Sequence, residues 1–187
     1  MSRLAGFSFF GGVFLVGLGV STFLLREKFF GRSAEFVSCE LSRESRIVRG
    51  SSMEPIFFPG ETIYALIGWY GCHSPKKDEI ALVSFAGDNV PIIKGIKGVP
   101  GDTFGVSILP NGEGEFLVNG KYVENSRHET YRIPSVRAEL WQSYEAQFQG
   151  IIPSDKFLVL GEIRSGSTDS SKFGFVEWSD LIGRVER

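Results

Sequence analysis

The 187-residue sequence is poor in the side chains that build metal and redox centres. It contains two histidines, His73 and His128, and two cysteines, Cys39 and Cys72. Because these four residues are too few and too widely spaced for a zinc site, we expect neither a metal nor another cofactor. In an oxidising compartment the cysteines could form a disulfide, but two unpaired thiols are the simpler expectation.

The sequence also lacks an excess of charge of either sign. It has 20 Lys and Arg residues against 22 Asp and Glu residues, a formal net charge of -2, and the basic residues are scattered along the chain. A nucleic-acid binder needs a basic face, so we expect no nucleic-acid partner. A hydrophobic fraction of 42%, with 23 glycines and 17 phenylalanines, is typical of one folded, loop-rich domain.

A long uncharged segment lies near the N-terminus. Residues 4–25 contain no charged side chain, and as a helix they span about 33 Å, enough to cross a hydrocarbon core of about 30 Å. The run is longer than the apolar part of a cleaved signal peptide, and no Ala-x-Ala site follows it. Residues 1–28 are therefore predicted to be a retained transmembrane anchor.

The charges around this segment leave its orientation open. Only Arg3 and the terminal amine precede it, whereas Arg26, Lys28 and Arg32 follow it. Counted by the positive-inside rule, these charges place the rest of the chain in the cytoplasm.

The remaining chain has the pattern of short strands between turns. Runs rich in Val, Ile and Phe predict strands at 62–67, 79–85, 91–96, 116–118 and 156–160. Asn119-Gly120 lies between two such runs and predicts a β-hairpin at 116–123. Apolar residues at helical spacing predict one short helix at 135–149. The fold class is predicted to be mainly β, with antiparallel strands.

A serine lies in a short segment with restricted backbone geometry. Residues 50–55, Gly-Ser-Ser-Met-Glu-Pro, follow a predicted strand at 45–49. Pro55 fixes its own φ and biases Glu54 toward extended geometry, which holds the Ser52 hydroxyl in one place. Gly50 leaves the backbone free to direct N–H groups at an oxyanion. Taken alone, the segment is more typical of a plain turn.

A lysine lies among apolar residues of a predicted strand. Strand alternation places Ile92, Lys94 and Ile96 on one face, and desolvation there lowers the pKa of the lysine. A neutral amine is the base that a serine nucleophile needs when histidine is scarce. Lys97 lies on the opposite face and is expected to be solvated. Taken alone, Lys94 is more typical of a lysine that reaches water from a strand edge.

Together, the two segments resemble those of bacterial type I signal peptidases, the Ser/Lys serine proteases that remove signal peptides from exported proteins. Residues 50–55 are similar to the nucleophile box of that family. Residues 93–102 are similar to its lysine box, with Lys94 eight residues before Asp102. Further matching features follow the family's order at 59–61, 77–83, 118–120 and 161–176.

The chain departs from the family pattern at several positions. Gly161-Glu162-Ile163 stands where the family has Gly-Asp-Asn. Ser171 replaces an arginine, so the salt bridge expected for Asp169 is missing unless Lys172 or Arg164 substitutes. Gly50 replaces a hydroxyl residue, so a side-chain donor to the oxyanion is lost. These departures favour a specialised member, for example a conjugation- or plasmid-type peptidase that processes a pilin.

The resemblance implies a signal-peptidase-like β domain at 29–187. Its nucleophile and lysine boxes lie at 47–102, a small cap lies at about 105–150, and a closing box lies at 156–187. The small cap follows from the 72 residues between Lys94 and Ser167, too few for a large second domain.

The resemblance also implies a mechanism and a location. Ser52 is the nucleophile, Lys94 is the general base, Ser167 hydrogen-bonds and orients Lys94, and Asp169 supports that loop. The substrates are preproteins or pilin precursors with small residues before the cleavage site. The protein is then a single-pass protein of the bacterial inner membrane, in contact with lipid, and its catalytic domain is extracytoplasmic.

Two alternatives belong to other classes. Self-cleaving repressors of the DNA-damage response share a Ser/Lys dyad, but they carry a DNA-binding domain where this chain has an apolar segment. A membrane-anchored β domain without catalysis would serve as an assembly factor. The distance between the Ser52 hydroxyl and the Lys94 amine distinguishes this alternative from a peptidase.

Overall fold

Two antiparallel sheets account for most of the regular structure in residues 40–84 and 90–187, the part of the chain that the computed structural model describes. In chain order the strands are β1 (Ser42–Ile47), β2 (Thr62–Ile67), β3 (Ile80–Val83), β4 (Ile92–Gly98), β5 (Phe104–Ile108), β6 (Gly114–Val118), β7 (Lys121–Tyr122), β8 (Arg132–Ile133), β9 (Lys156–Leu160), β10 (Val176–Glu177) and β11 (Leu181–Glu186). The helices are α1 (Ser135–Gln147) and α2 (Ser170–Phe173), with 3₁₀ turns at Trp69–Gly71 and Trp178–Asp180.

The larger sheet has the strand order β1-β2-β11-β3-β4-β9-β10, and β1 is one of its edges. In β11, alternation buries Leu181, Gly183 and Val185 and leaves Ile182, Arg184 and Glu186 half-buried. The smaller sheet has the order β5-β6-β7, with β8 also paired to β6. All pairings in both sheets are antiparallel, so the predicted mainly β, antiparallel fold class is confirmed for this part of the chain.

The predicted strands are present, with some displaced limits. The runs at 62–67 and 156–160 form β2 and β9 with the predicted bounds. The run at 91–96 begins one residue later and extends to Gly98, because β4 continues to pair with β9 there. The run at 79–85 forms β3 over Ile80–Val83, and its predicted end lies outside the described residues.

The predicted hairpin and the predicted helix are confirmed. Asn119 and Gly120 connect β6 to β7 with φ values of 52° and 72°, the two left-handed conformations of a type I′ turn. Helix α1 ends at Gln147, two residues before the predicted limit. The reason is local, because Gln149 and Gly150 adopt left-handed conformations, with φ values of 54° and 67°.

The segment from β5 to α1, which we call the cap, contains the smaller sheet and the longer helix. It does not have a core of its own, because Leu158 and Leu160 of β9 pack in one cluster with Phe116, Tyr131 and Trp141. Trp141 is 1% exposed and meets Phe116 edge to face at 4.8 Å between ring centroids. The cap is therefore fixed to the sheet that carries β4 and β9.

The predicted membrane anchor lies outside the described residues. Among residues 40–84 and 90–187, no helix is both long enough and apolar enough to cross a bilayer. Within the same ranges, no group of three or more His, Cys, Asp and Glu side chains could hold a metal ion.

The expectation of two unpaired thiols is wrong. Cys72 is disulfide-bonded, and the other cysteine of the chain, Cys39, lies outside the described residues. Sequence spacing misleads here because disulfide formation depends on the distance between two Cβ atoms in the fold.

Candidate active site

The nucleophile candidate, Ser52, lies in the loop between β1 and β2. Two backbone hydrogen bonds close the base of this loop, from Val48 N to Glu61 O and from Gly60 N to Val48 O. Met53, adjacent to Ser52, is 2% exposed and packs in a core cluster with Val48 and other apolar residues. Ser52 is half-buried and is held in place by this anchored neighbour.

Gly50 introduces the turn with φ +77°, a conformation that side-chain-bearing residues rarely adopt. A Cβ at Gly50 would meet no atom within 4 Å, so its backbone conformation, and not a close contact, explains the glycine. The backbone N–H groups of Ser51 and Ser52 donate to no acceptor within the described part of the chain. These groups are free to bind an oxyanion.

Lys94 lies in the middle of β4, paired with Ala81 of β3. Its side chain is buried, with 2% of the residue exposed. The ammonium donates two hydrogen bonds of 2.9 Å, one to Ser52 Oγ and one to the carbonyl oxygen of Ile93. Ser52 Oγ and Lys94 Nζ are therefore within hydrogen-bond distance, the relationship that distinguishes a peptidase from a non-catalytic domain.

Burial lowers the pKa of Lys94 from 10.5 to about 8, and the negative charge of Asp169 acts in the opposite direction. At such a pKa, roughly one Lys94 side chain in ten is neutral at pH 7. The amine can therefore accept a proton near neutral pH.

The neighbouring lysine is less solvated than expected. The Lys97 side chain is only 14% exposed, and its ammonium pairs with Asp78 at 3.6 Å. The Asp78 carboxylate compensates for the partial burial of the Lys97 ammonium.

Asp169 is a buried carboxylate with five neutral donors. Oδ2 accepts hydrogen bonds from Gly161 N at 3.0 Å, Ser167 N at 3.1 Å and Ser167 Oγ at 2.7 Å. Oδ1 accepts from Ser171 Oγ at 2.6 Å and from Ser171 N at 3.0 Å. The second of these bonds caps the N-terminus of α2. These five donors satisfy both carboxylate oxygens by hydrogen bonding.

Neither Lys172 nor Arg164 substitutes for the missing arginine at Asp169. Within the described residues, no lysine or arginine forms an ion pair with Asp169. Ser171, which replaces the family's arginine, provides both a hydroxyl and a backbone donor instead.

The predicted hydrogen bond between Ser167 and Lys94 is also absent from the described part of the chain. The Ser167 hydroxyl donates to Asp169, and the Lys94 ammonium donates to Ser52 and Ile93. The support that Asp169 gives to the loop of Ser167 is observed directly.

Residues that sequence reasoning did not assign to the site connect the closing box to Ser52. Glu162 N donates to Ser52 O at 2.6 Å, and the Tyr131 hydroxyl donates to Gly161 O at 2.5 Å. A Cβ at Gly161 would lie 2.6 Å from Ser167 Oγ and 2.8 Å from Ser52 O. Only glycine fits at this position. In the sequence, the altered motif at 161–163 was the only indication that Gly161 and Glu162 belong to the site, and no pattern indicated Tyr131.

A cleft of about 500 Å³ opens over Ser52 and Lys94. We call it the catalytic cleft. Its walls include residues 45–47 of β1 and the apolar side chains Val48, Met53, Leu82, Ile92 and Ile93. Because β1 is an edge strand, its outer side can pair with an extended peptide that enters this cleft.

Comparisons with known proteins identify a family for the chain. Residues 33–187 match the family model described as signal peptidase, peptidase S26. Signal peptidase IB of Staphylococcus aureus (strain COL) is 28% identical over 149 residues, covering 74% of this chain and 73% of that protein. "Probable signal peptidase I-2" of Synechocystis sp. is 29% identical over 151 residues, covering 76% of this chain and 61% of that protein.

One similar solved structure is a signal peptidase I from Enterococcus faecalis V583. It has 20% sequence identity and a TM-score of 0.41, and the match covers 60% of this chain and 97% of that one.

Proposed function

The chain belongs to the signal peptidase family, peptidase S26, and we propose that it cleaves signal peptides with Ser52 as nucleophile and Lys94 as general base. As a family member it is a serine peptidase and therefore a hydrolase. The observation that supports the catalytic assignment is the 2.9 Å contact between Ser52 Oγ and the buried Lys94 Nζ.

In the proposed acylation step, neutral Lys94 removes the Ser52 proton as Oγ attacks the scissile carbonyl. The carbonyl oxygen becomes an oxyanion that the free N–H groups at Ser51 and Ser52 stabilise. The protonated Lys94 then gives its proton to the leaving amine. The products of this step are the released mature protein and a signal peptide esterified to Ser52.

In the proposed deacylation step, Lys94, neutral again, takes a proton from water as the water attacks the ester. The oxyanion forms a second time and collapses, and Lys94 returns the proton to Ser52 Oγ. The Asp169 charge favours the protonated state of Lys94 that each step requires. We propose Asp169 as a positioning residue for this reason, with Ser167 as a donor that holds the Asp169 carboxylate in place. Gly50 is proposed as the residue that allows the turn.

We propose that the substrate binds in an extended conformation along the outer edge of β1, with small residues before the cleavage site. Preproteins fit this description, because the catalytic cleft is apolar and of modest volume. Pilin precursors remain a prediction of the resemblance alone.

The location is a further part of the proposal. The length and apolar character of residues 4–25 favour a membrane anchor. Because signal peptides are removed where the exported chain emerges, we propose a single-pass protein of the bacterial inner membrane with an extracytoplasmic catalytic unit. Protease added outside intact cells should then digest this unit, and protection of the unit from digestion would contradict the orientation.

Cleavage of a model preprotein by the wild type and by Ser52→Ala tests the proposed function. We expect the wild type to release the signal peptide and Ser52→Ala to be inactive, although it remains folded. Ser143→Ala, at an exposed serine of α1, is the matched control and should be active. Cleavage by Ser52→Ala would eliminate Ser52 as the nucleophile. A folded wild type that does not cleave would contradict the peptidase proposal and favour the non-catalytic alternative.

A further inference from the structure

A second cleft, of about 880 Å³, lies beside the Ser52 turn. We call it the cap cleft. Its lining comes from the turn itself at Ser51 and Glu54, from the cap at 109–113 and 127–132, and from the closing box at 162–165. Ser52 lines the catalytic cleft and Ser51 lines the cap cleft, so the nucleophile turn separates the two.

The two clefts differ in chemistry. The catalytic cleft is lined mostly by apolar side chains, with Lys94, Arg46 and Arg49 as its charged residues. Four glutamates and three arginines line the cap cleft. An apolar segment would desolvate these charges without compensation, so the cap cleft suits a hydrophilic ligand.

Most of the charged groups in the cap cleft already have protein partners. Glu113 accepts a hydrogen bond from Asn111, Glu129 accepts one from Asn125, and Glu162 accepts one from Ser126 N at 2.7 Å. Arg132 pairs with Glu115 at 3.2 Å. These contacts hold the walls in place and leave the four side chains little hydrogen-bonding capacity for a ligand.

Within the described residues, three charged side chains of the cleft have no such partner: Glu54 of the nucleophile turn, Arg127 and Arg164. The two arginines are the groups that can pair with an acidic ligand. Both are exposed, and neither guanidinium has a hydrogen bond or an ion pair within residues 40–84 and 90–187. They come from separate walls of the cleft, one from the cap and one from the closing box. A guanidinium binds a carboxylate through two parallel hydrogen bonds, so these two side chains are matched to acidic groups.

The cap cleft is also connected rigidly to the nucleophile. Glu162, which is 2% exposed, donates its backbone N–H to Ser52 O and accepts from the loop that carries Arg127. Asn125 of the same loop donates to Glu162 O at 3.0 Å. A peptide bound against these walls would therefore be held in a fixed position relative to Ser52.

We propose that the cap cleft binds the substrate segment that follows the scissile bond, with Arg127 and Arg164 pairing with acidic side chains of that segment. The inference rests on the proposed peptidase function, since a substrate that crosses Ser52 must extend to both sides of the nucleophile turn. The apolar cleft at the edge of β1 takes the residues before the bond. The residues after it become the N-terminus of a protein released into water, and a charged cleft fits such a segment.

Three peptides with the same residues before the cleavage site test this inference. One ends one residue after the bond, one continues with a hydrophilic segment that contains two aspartates, and one has lysines in place of the aspartates. We expect the aspartate peptide to have the lowest KM. Arg127→Ala and Arg164→Ala should each raise that KM by about two- to fivefold, and should leave the KM of the short peptide unchanged.

Arg137→Ala is the matched control, because Arg137 is an exposed arginine of α1 that lines neither cleft. It should leave all three KM values unchanged. The inference is wrong if the added segment does not lower KM, if the lysine peptide binds as well as the aspartate peptide, or if the arginine variants affect the short peptide equally.

Failure of the peptidase proposal has a different signature, because then none of the three peptides is cleaved. Equilibrium binding of the same peptides to Ser52→Ala still reports on the cap cleft in that case. Tighter binding of the aspartate peptide, lost in Ser52→Ala combined with Arg127→Ala and Arg164→Ala, supports the inference, and equal binding of all three peptides overturns it.

Discussion

The Lys94 ammonium donates a hydrogen bond of 2.9 Å to the Ser52 hydroxyl oxygen, across 42 positions of the sequence. Neither residue has a histidine beside it, so any activation of the serine falls to a lysine that must first lose its proton. Burial of Lys94 in β4 makes that loss possible near neutral pH, because water no longer stabilises the charged form. The fold thus provides both the contact between Ser52 and Lys94 and the lowered pKa of Lys94.

Activity should depend on pH through Lys94. The pKa of Lys94 is lowered to about 8, and only the neutral amine can accept the serine proton. We therefore expect kcat/KM to fall about tenfold per unit as pH decreases below about 8. A pH series of preprotein cleavage at low substrate concentration measures this, and a flat profile between about pH 6 and 8 would exclude Lys94 as the titrating base.

Lys94 should lower the stability of the folded protein at neutral pH. Its pKa is below the unfolded value of 10.5, so the unfolded state binds the proton more tightly. This reduction of the free energy of unfolding is fully present below pH 8 and disappears as pH rises through 10.5. It amounts to about 3 kcal/mol for the fully buried group.

Denaturant unfolding of the wild type and Lys94→Met measures this cost. We expect the methionine variant to gain stability relative to the wild type at pH 7 and to lose that advantage as pH approaches 10.5. A stability difference that does not change with pH would show that the lysine is not desolvated in the way we describe.

The donors around Asp169 should be worth more than ordinary surface hydrogen bonds. Ser171→Ala removes the 2.6 Å bond to the buried carboxylate and should destabilise the protein by about 2 kcal/mol. Ser143→Ala removes an exposed hydroxyl on α1 and should change stability by less than about 0.5 kcal/mol. Equal midpoints of thermal unfolding for the two variants would argue against a role for Ser171 as the replacement for an arginine.

Gly161 should be essential to the position of Ser52. In Gly161→Ala the new Cβ would lie 2.8 Å from Ser52 O and 2.6 Å from Ser167 Oγ, so the Ser52 backbone must move. Because displacements of about 1 Å can cost on the order of 10²-fold in rate, we expect a loss of that size in kcat. Gly71→Ala meets nothing within 4 Å and should retain activity. Full activity of Gly161→Ala would show that the Glu162–Ser52 contact does not position the nucleophile.

The sequence predicts the fold well where local rules are sufficient. Strands β2 and β9 begin and end as expected, because aliphatic runs bounded by turn residues leave few alternatives. The end of α1 was predicted too late because Gln149 adopts a left-handed conformation that glutamine does not signal. The state of Cys72 was predicted wrongly for a related reason, since its partner is determined by the tertiary structure.

The candidate site is predictable only in part. Ser52 and Lys94 are visible as motifs, and their contact is as expected. The direction of the Ser167 hydrogen bond is not predictable, because it depends on where the fold places the Asp169 carboxylate. The links from Tyr131 to Gly161 and from Asn125 to Glu162 join residues 30 or more positions apart, and no local pattern encodes them.

The central claim is that Lys94 acts as the general base for Ser52, and the most direct measurement is preprotein cleavage by Lys94→Arg beside Lys97→Arg. Both substitutions keep a positive charge on β4, but a guanidinium does not lose its proton at any working pH. Circular dichroism and thermal unfolding establish that both variants are folded. The account predicts no detectable turnover by Lys94→Arg and nearly full activity of Lys97→Arg, whereas substantial cleavage by folded Lys94→Arg would contradict it.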